Sequence, residues 1–516
     1  MAATSLTEAM IDSFPAVDPH VHVPGTISPM TAWELGLRNK LITVRRVDNQ
    51  KDPEYGKWVV EDGPNKLGGT DPIKKYSRLF CSRGPKGALP IQFNNDGTPR
   101  DLDYDYDCVK GADEKHDTFK GFDAIQGTTQ GHRHRPGGIQ TEDDYRFVME
   151  QFLASCLKQN IRYVEPSQNI TIAEVLYPED DPKEARSKFF TLAKELVDLF
   201  AANAVVLRFT HCANKTGAAN VGKSLRARTL EWADWLEEAK AQVPGVFVGL
   251  TTAGHEKMEI EAGGPRAMVE GYQRVAKMGL GCEGHYGEGA GVEHMMKAMD
   301  LLPEGTRFAH GIQVIESQDA IHEVGRRGQP LIMAPYINLA LGGVIHYKDG
   351  KPHHKLQRDP TTAKLMLDQT TGKPLRVDGI ENHYITSLED HPIWTLMREH
   401  HLPIGLMSDD PQQGGIDYKD QVKLLAGIGR PRNGIAPVDP ERVPPLTAEE
   451  LVTCNLNAVQ VAFCAPEVKE QLVANIRTWT NEHNIIVEHP LFAPPPETGW
   501  RRALSSDWPP RAPSLP

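Results

Sequence analysis

The sequence has no closely spaced cysteines, no long apolar runs and no net positive charge. Its seven cysteines are widely spaced, and no two of them have the C-x-x-C spacing. This pattern argues against a disulfide framework and against a zinc site built from thiolates. No apolar run approaches the roughly 20 residues of a membrane span.

The net charge and the N-terminal stretch limit the binding partners and the cellular location that we expect. The net charge is −12, so no bulk basic field predicts nucleic acid or anionic lipid as a partner. The N-terminal stretch has neither the basic start nor the apolar core of a signal peptide. We therefore expect a cytoplasmic protein with no nucleic-acid partner and no membrane partner. Homo-oligomerisation is left open by the sequence.

Short β-branched runs alternate with amphipathic helical patterns along most of the chain. After a first run before His20, the others cover 161–167, 204–212, 246–254, 280–288, 307–314, 330–338 and 403–411. Such alternation is typical of a parallel sheet, and eight strand–helix units predict a (β/α)₈ TIM barrel. A doubly wound open sheet is the structural alternative.

Two stretches interrupt the alternation. Residues 46–140 are rich in Gly, Asp and Lys, and residues 341–387 contain the turn signals KDGKP and TTGKP. We predict one barrel over 1–440 that contains these two insertions as cap or loop segments. Helices over 441–490 would pack on the barrel, and 491–516 would form a Pro-rich tail.

Metal-ligand and acid–base side chains collect at the predicted carboxyl ends of the strands, where catalytic groups of such barrels lie. They are His20 and His22 on the first strand, His285 and Glu288 on the fifth, His310 on the sixth, and Asp409 and Asp410 on the eighth. Three imidazoles and one carboxylate form a ligand set suited to zinc with one position open for water.

The H-x-H motif is a weak signal by itself. With 20 histidines in 516 residues, chance supplies roughly one such motif. A second copy, His132 and His134, has no apolar strand before it, and we interpret it as part of a solvated loop.

Four segments, in order, carry a family resemblance: DPHVHVPGTISPMTAWEL, GHYGEGAG, RFAHGIQ and LMSDDPQ. Together they resemble the adenosine deaminase family of zinc aminohydrolases. The resemblance extends from residue 15 to about 415 and leaves both insertions unmatched. It implies one Zn²⁺ per chain, held by His20, His22, His285 and Asp409.

The resemblance also implies roles for the remaining residues. Glu288 would protonate the ring nitrogen next to the amino-bearing carbon, which requires a raised pKa. His310 would orient and deprotonate the water, and Asp410 would share a hydrogen on the imidazole side of a purine. The backbone of Gly254 would approach the ring. The implied reaction releases ammonia from the 6-amino group of an adenine nucleoside or 5′-nucleotide.

Two departures weaken the match at the sugar end of the substrate. Pro24 stands where the family has an acidic residue that meets the ribose 5′-hydroxyl, and Ser167 stands where an arginine is common. The reaction type, deamination, is therefore better supported than the identification of adenosine as the substrate. Another aminopurine, or a related amino-heterocycle, stays open.

The segment GAANVGKS, 217–224, satisfies the P-loop pattern letter by letter and raises a different class of function, a P-loop NTPase. Against this, HCANKT separates it from its strand, and no apolar strand ends in a lone Asp nearby. We instead expect Lys215, Lys223 and Ser224 to bind a substrate phosphate. A non-catalytic barrel with a structural metal is the third alternative, and Glu288 and His310 argue against it.

Overall fold

The computed structural model describes most of the chain. The described residues are 3–65, 73, 75–84, 87–106, 118–131, 137–215, 222–355, 357, 366 and 375–492. The predictions for His132 and His134, and for all of the tail beyond 492, lie outside the described residues.

Eight parallel strands form a nearly closed barrel, which confirms the predicted fold class. They are β1 (Ala16–His22), β2 (Ile161–Gln168), β3 (Phe209–Asn214), β4 (Phe247–Ala253), β5 (Gly281–Tyr286), β6 (Arg307–His310), β7 (Leu331–Met333) and β8 (Ile404–Leu406). Each strand pairs with the next, and the short strand Val206–Leu207 also pairs with β2. The doubly wound alternative is therefore wrong.

The barrel closes between β1 and the residues that follow β8. Val21 forms a parallel bridge with Asp409. The backbone N–H of His22 donates to the carbonyl of Asp409 at 2.8 Å, and the N–H of Asp409 donates to the carbonyl of His20 at 3.2 Å. The closing bonds thus hold three predicted metal ligands.

Helices lie between the strands and after them. They are Glu8–Ser13, Pro29–Arg38, Thr118–Gln130, Glu142–Lys158, Ala173–Leu176, Pro182–Ala202, Leu225–Gln242, Glu256–Glu261, Pro265–Lys277, Val292–Leu301, Gln318–Arg327, Pro335–Ala340, Ile393–Arg398, Pro411–Gly414, Tyr418–Leu425, Ala448–Val461 and Pro466–Glu482. Local sequence determines where some of these helices begin: for example, Thr141 and Asp144 form a capping box at the start of Glu142–Lys158. Within the described ranges, no helix is both long and apolar enough to cross a membrane.

Small antiparallel sheets occupy the region between β1 and β2 and the region between β7 and β8. Ile42–Arg46 pairs with Trp58–Asp62, Phe80–Gly84 pairs with Gly87–Leu89 and Leu102–Tyr104, Gln92–Phe93 pairs with Pro99–Arg100, and Val344–Lys348 pairs with Lys351–Pro352 and Glu381–Tyr384. Both regions begin where a barrel strand ends, so the chain enters them from the carboxyl-end rim. The domain boundaries stay a prediction.

The helix Ala448–Val461 packs on the outside of the barrel near its seam. Asn455 Oδ1 accepts the N–H of Val17 at 3.0 Å, and Asn457 Nδ2 donates to the carbonyl of Ile404 at 3.0 Å. These two amides satisfy backbone groups of β1 and β8, where a buried unpaired polar group would be costly. The helix therefore supports the two strands that meet at the metal ligands.

Candidate metal centre and active site

Four predicted ligands converge at the carboxyl end of the barrel. His20, His22, His285 and Asp409 are all buried, and one ligand atom from each lies within 4.8 Å of the others. Nε2 of His22 is 3.3 Å from Nε2 of His20 and 3.2 Å from Nε2 of His285. Oδ1 of Asp409 is 3.3 Å from Nε2 of His20. Three ring nitrogens and one carboxylate oxygen therefore face a single point.

The strands place these side chains in different ways. His20 and His22 are two residues apart on β1, so the alternation of a strand directs both to one side. Asp409 is a non-glycine residue with φ of 62°, a left-handed conformation. Such backbone strain persists only where surrounding bonds over-determine it, here the bonds that close the barrel.

Each ligand histidine uses its other ring nitrogen for a hydrogen bond to the barrel. The pairs are His20 Nδ1 with Glu283 Oε1 at 2.5 Å, His22 Nδ1 with Ser167 Oγ at 2.8 Å, and His285 Nδ1 with the Thr252 carbonyl at 2.8 Å. A carboxylate and a carbonyl only accept, so the proton of His20 and of His285 sits on Nδ1. Their Nε2 lone pairs are thereby available for a metal ion.

The carboxylate of Asp409 also fits a cation. Its Oδ1 atom is buried and has no hydrogen-bond partner among the residues that the structure describes. A buried carboxylate oxygen without a partner is costly unless a cation compensates it. Three imidazole nitrogens and one carboxylate oxygen form a donor set that zinc accepts in catalytic sites. The residues present therefore fit a zinc ion.

A buried charge network beneath the ligands was missed in the sequence. Arg307 donates from Nε to Glu283 and from Nη2 to Glu165 Oε2, the latter at 2.8 Å. Burial alone would raise the pKa of Glu283, but the Arg307 guanidinium and His20 outweigh it and hold the pKa well below its usual range. Glu283 stays ionised beside His20. One available signal was Glu283 two residues before His285, on the same face of one strand.

Glu288, the predicted proton donor, follows β5 directly. Its Oε1 atom lies 3.8 Å from Nε2 of His310, and only 19% of its side chain is exposed. Burial raises the pKa of Glu288. The carboxyl group therefore tends to keep its proton, which is the state that a general acid needs.

The GEGAG loop around Glu288 is held by the carboxylate of Glu256. The backbone N–H groups of residues 287, 288, 289 and 290 donate to this carboxylate at 2.9, 3.1, 2.8 and 3.0 Å. Successive backbone N–H groups of this kind form an anion-binding nest. Here a side chain of the protein fills the nest, and it fixes the backbone of Glu288.

A chain of hydrogen bonds orients His310. The N–H of Ile393 donates to His391 Nδ1 at 3.1 Å, so neutral His391 carries its proton on Nε2 and donates to Asn338 Oδ1 at 3.3 Å. Asn338 Nδ2 then donates to His310 Nδ1 at 2.9 Å. Burial lowers the pKa of His391 to about 3, which keeps it neutral.

The consequence concerns the proton of His310. Because Nδ1 accepts from Asn338, neutral His310 carries its proton on Nε2, the atom that faces Glu288. In this state the ring donates a hydrogen bond toward the centre and orients what is bound there. The further role predicted for His310, taking a proton from water, stays a prediction.

Asp410 lies next to the ligand Asp409 and is also buried. Its Oδ1 atom accepts a hydrogen bond from Gln126 Nε2 at 2.8 Å. Burial, with the neighbouring carboxylate of Asp409, raises the pKa of Asp410 to about 7.

The position next to Asp410 requires a glycine. A Cβ atom at Gly25 would lie 2.1 Å from Oδ1 of Asp410. Only glycine therefore fits at position 25.

Gly254 follows β4 at the same rim, as predicted from the resemblance. Its φ is 96°, a conformation that favours glycine. A contact between its backbone and a substrate ring stays a prediction.

The lysine at the end of β3 has structural partners. Lys215 is buried, and its Nζ lies 2.8 Å from Glu259 Oε2 and donates to the carbonyl of His285 at 3.0 Å. Its charge is therefore compensated within the protein. The buried pair does not face solvent, and the bond from Lys215 to the carbonyl of His285 fixes the end of β5.

Lys223 and Ser224 have partners of their own at the start of the helix Leu225–Gln242. Lys223 Nζ lies 3.0 Å from Glu231 Oε2, and Ser224 Oγ accepts the N–H of Ala227 at 3.2 Å as the helix N-cap. Residues 217–221 of the P-loop-like segment lie outside the described residues. A phosphate contact at Lys223 and Ser224 stays a prediction. A phosphate would have to compete with the ion pair to Glu231 and with the helix cap.

Comparisons with known proteins identify the fold. No family model and no curated protein matches the sequence. The structure resembles an adenine deaminase from Arthrobacter aurescens (TM-score 0.54, 15% identity, 91% of this chain and 99% of that one). It also resembles an amidohydrolase from Burkholderia ambifaria with bound zinc (0.54, 14%, 94% and 99%) and an Arabidopsis N6-mAMP deaminase (0.52, 12%, 91% and 99%).

The chain shares its fold with these deaminase and amidohydrolase structures. At these identities the likeness concerns the fold alone. It agrees with the resemblance that the four sequence segments carry independently.

Proposed function

We propose that this protein is a zinc-dependent hydrolytic deaminase that releases ammonia from the 6-amino group of an adenine-type substrate. The observation that carries the proposal is the placement of four ligand atoms within 4.8 Å of one another. They lie beside a buried acid, Glu288, and an oriented imidazole, His310. A purely structural metal site would need neither of these two groups.

The chain supplies the proton chemistry of this reaction. A zinc ion held by the four ligands would lower the pKa of a water molecule, so that hydroxide is available near neutral pH. Glu288 donates its proton to the ring nitrogen next to the amino-bearing carbon, which makes that carbon more electrophilic. His310 directs its Nε2–H toward the same place, and Asp410 shares a hydrogen on the opposite edge of the ring. Water supplies the oxygen of the oxo product: one of its protons replaces the one that Glu288 gave to the ring nitrogen, and the other leaves with the amino group as ammonia when the C–N bond breaks.

The substrate class is the finer part of the proposal. Adenine deaminase and N6-mAMP deaminase, whose folds are similar, support an adenine-type ring. Pro24 removes the acid that would meet a free 5′-hydroxyl, so a 5′-nucleotide fits this rim better than adenosine does. Another aminopurine or related amino-heterocycle is the alternative.

The experiment is a screen for amine release by the purified, zinc-loaded protein. The substrates are adenine, adenosine, AMP, ADP, ATP, N6-methyl-AMP and 2-aminopurine, and ammonia or methylamine is followed. We expect one adenine-type compound to give chelator-sensitive release that zinc restores. Phosphate release from ATP is measured in parallel, and chelator-resistant ATP hydrolysis without amine release would contradict the proposal.

A further inference from the structure

A cavity of about 750 Å³ lies between the rim of the barrel and the strands that follow β7. Glu256, Lys257 and Glu288 line it on the barrel side, and Gly343, Lys355 and Arg376 line it on the other side. This volume lies within the range of about 300–1,000 Å³ that is usual for small-molecule sites. Because Glu288 belongs to its wall, the cavity adjoins the candidate active site.

Within the part of the chain that the structure describes, three cationic side chains line this cavity. Lys257 and Arg376 are exposed, and neither has an ion-pair partner within the described ranges. Lys355 is half-buried, and its Nζ donates to the carbonyl of Ala290 in the GEGAG loop. Ammonium and guanidinium groups in such a partly enclosed space bind oxyanions through charge-assisted hydrogen bonds.

The acidic side chains in the wall do not cancel this charge. The Glu256 carboxylate accepts hydrogen bonds from four backbone N–H groups of the GEGAG loop. Glu288 is neutral while it serves as proton donor in the proposed function. Asp378, which is exposed, is the remaining acid among the described residues of the wall. Among the described residues of the wall, three cations thus face the carboxylates of Glu256 and Asp378 while Glu288 is protonated, which leaves an excess of positive charge.

We propose that this cavity binds the oxyanion group of a substrate whose amino-bearing ring lies at the metal centre, with Lys257, Lys355 and Arg376 as its contacts. The oxyanion is a phosphate or a carboxylate. The inference rests on the proposed function and adds a specificity site to it. It also moves the expected anion site away from Lys223, whose charge is paired with Glu231.

The test compares kcat/KM for adenosine, AMP, ATP and adenine with a carboxypropyl chain at N9. The variants are Lys257→Ala, Arg376→Ala and the double variant, each checked for an unchanged melting temperature. Lys351→Ala is the matched control, since Lys351 is exposed in the same insertion and does not line the cavity. Lys223→Ala tests the other location.

We expect the wild type to prefer an anionic substrate over adenosine by tenfold or more. The double variant should lose at least tenfold on that substrate and less than twofold on adenosine, while Lys351→Ala and Lys223→Ala change neither. A preference for AMP and ATP identifies phosphate, and a preference for the carboxypropyl compound identifies carboxylate. Equal losses on all substrates, or a selective loss only in Lys223→Ala, would overturn the inference.

A binding measurement separates this inference from the proposed function. Inorganic pyrophosphate is titrated calorimetrically into the wild type and the double variant, without any turnover. Binding that the double variant loses supports the cavity, even if no substrate releases ammonia and the proposed function fails. Ammonia release without pyrophosphate binding and without anion preference leaves the proposed function standing and removes the anion site.

Discussion

Oε1 of Glu283 lies 2.5 Å from Nδ1 of His20, although 263 residues separate them in the chain. The carboxylate accepts the Nδ1 proton of His20, which directs the Nε2 lone pair toward the other ligands. Arg307 holds Glu283 from the opposite side. A charged group that was not part of the predicted ligand set thus orients the first ligand.

Replacing Glu283 by glutamine should weaken metal binding without removing a ligand. We expect zinc affinity to fall by about 10- to 100-fold, the usual effect of losing a hydrogen-bond partner behind a ligating histidine. Competition against a chromogenic chelator measures the affinity. Glu61→Gln, in an exposed pair with Arg45, serves as the control. Unchanged zinc affinity in Glu283→Gln would refute this positioning role.

His285→Ala should abolish stoichiometric zinc binding, because it removes one of three imidazole ligands at the centre. Zinc content after dialysis is measured by elemental analysis and compared with His322→Ala, which changes an exposed histidine on the helix Gln318–Arg327. The control should bind as much zinc as the wild type. Full zinc content in both variants would contradict the ligand assignment.

Glu288→Gln should lower turnover by about 10²- to 10⁴-fold and keep the metal, because it removes a general acid and no ligand. The pH profile gives a second measure. The acting form of Glu288 is protonated, so kcat/KM should fall as pH rises through its pKa, which burial has raised. This alkaline limb should be missing from the residual activity of the glutamine variant. A wild-type profile that rises throughout that region would show that Glu288 acts as a base.

Asn338→Asp should disturb His310 selectively. A carboxylate at this position only accepts, so it would draw the ring proton of His310 to Nδ1 and leave Nε2 without one. We expect kcat to fall by at least tenfold and KM and zinc content to change little. The ¹⁵N shifts of the His310 ring report the tautomer directly. The same tautomer in both proteins would disprove the orienting role of Asn338.

Lys215→Met should destabilise the fold by about 3 kcal/mol, since it removes the ammonium group that lies 2.8 Å from the buried carboxylate of Glu259. Equilibrium unfolding in urea measures the change. Lys194→Met breaks an exposed pair with Asp198 and should cost less than about 1 kcal/mol. The double variant Lys215→Met/Glu259→Leu should recover most of the loss. A loss in Lys215→Met no larger than that of the control would mean that burial of this pair is unimportant.

Much of the site could be predicted because its residues follow the ends of regular strands. His20 and His22 share one side of β1, and His285 ends the inward face of β5, so strand alternation and the barrel rule were enough to group them. Glu283 lies in the same strand as His285, but the sequence does not show which cation pairs with a carboxylate inside the barrel. Its partner is Arg307 because of the register between β5 and β6.

Partners that come from irregular segments could not be predicted. Asn338 and His391 reach His310 from the short helix after β7 and from the loop before Ile393–Arg398, and no periodic pattern relates these positions. The proposed phosphate loop shows the same limit. Lys223 and Ser224 have the right chemistry in the sequence, yet in the fold an ion pair and a helix cap engage both.

The sequence by itself determined the barrel, because eight repeats of strand and helix have few other ways to bury their apolar faces. It also predicted the four side chains that converge at the candidate metal centre. Only the tertiary structure decided which charges stay available for a ligand. Lys215 is paired with Glu259 and the Glu256 carboxylate accepts four backbone N–H groups, whereas Lys257 and Arg376 have no ion-pair partner among the residues that the structure describes. Pairing of charges depends on distances between elements, which local sequence does not encode.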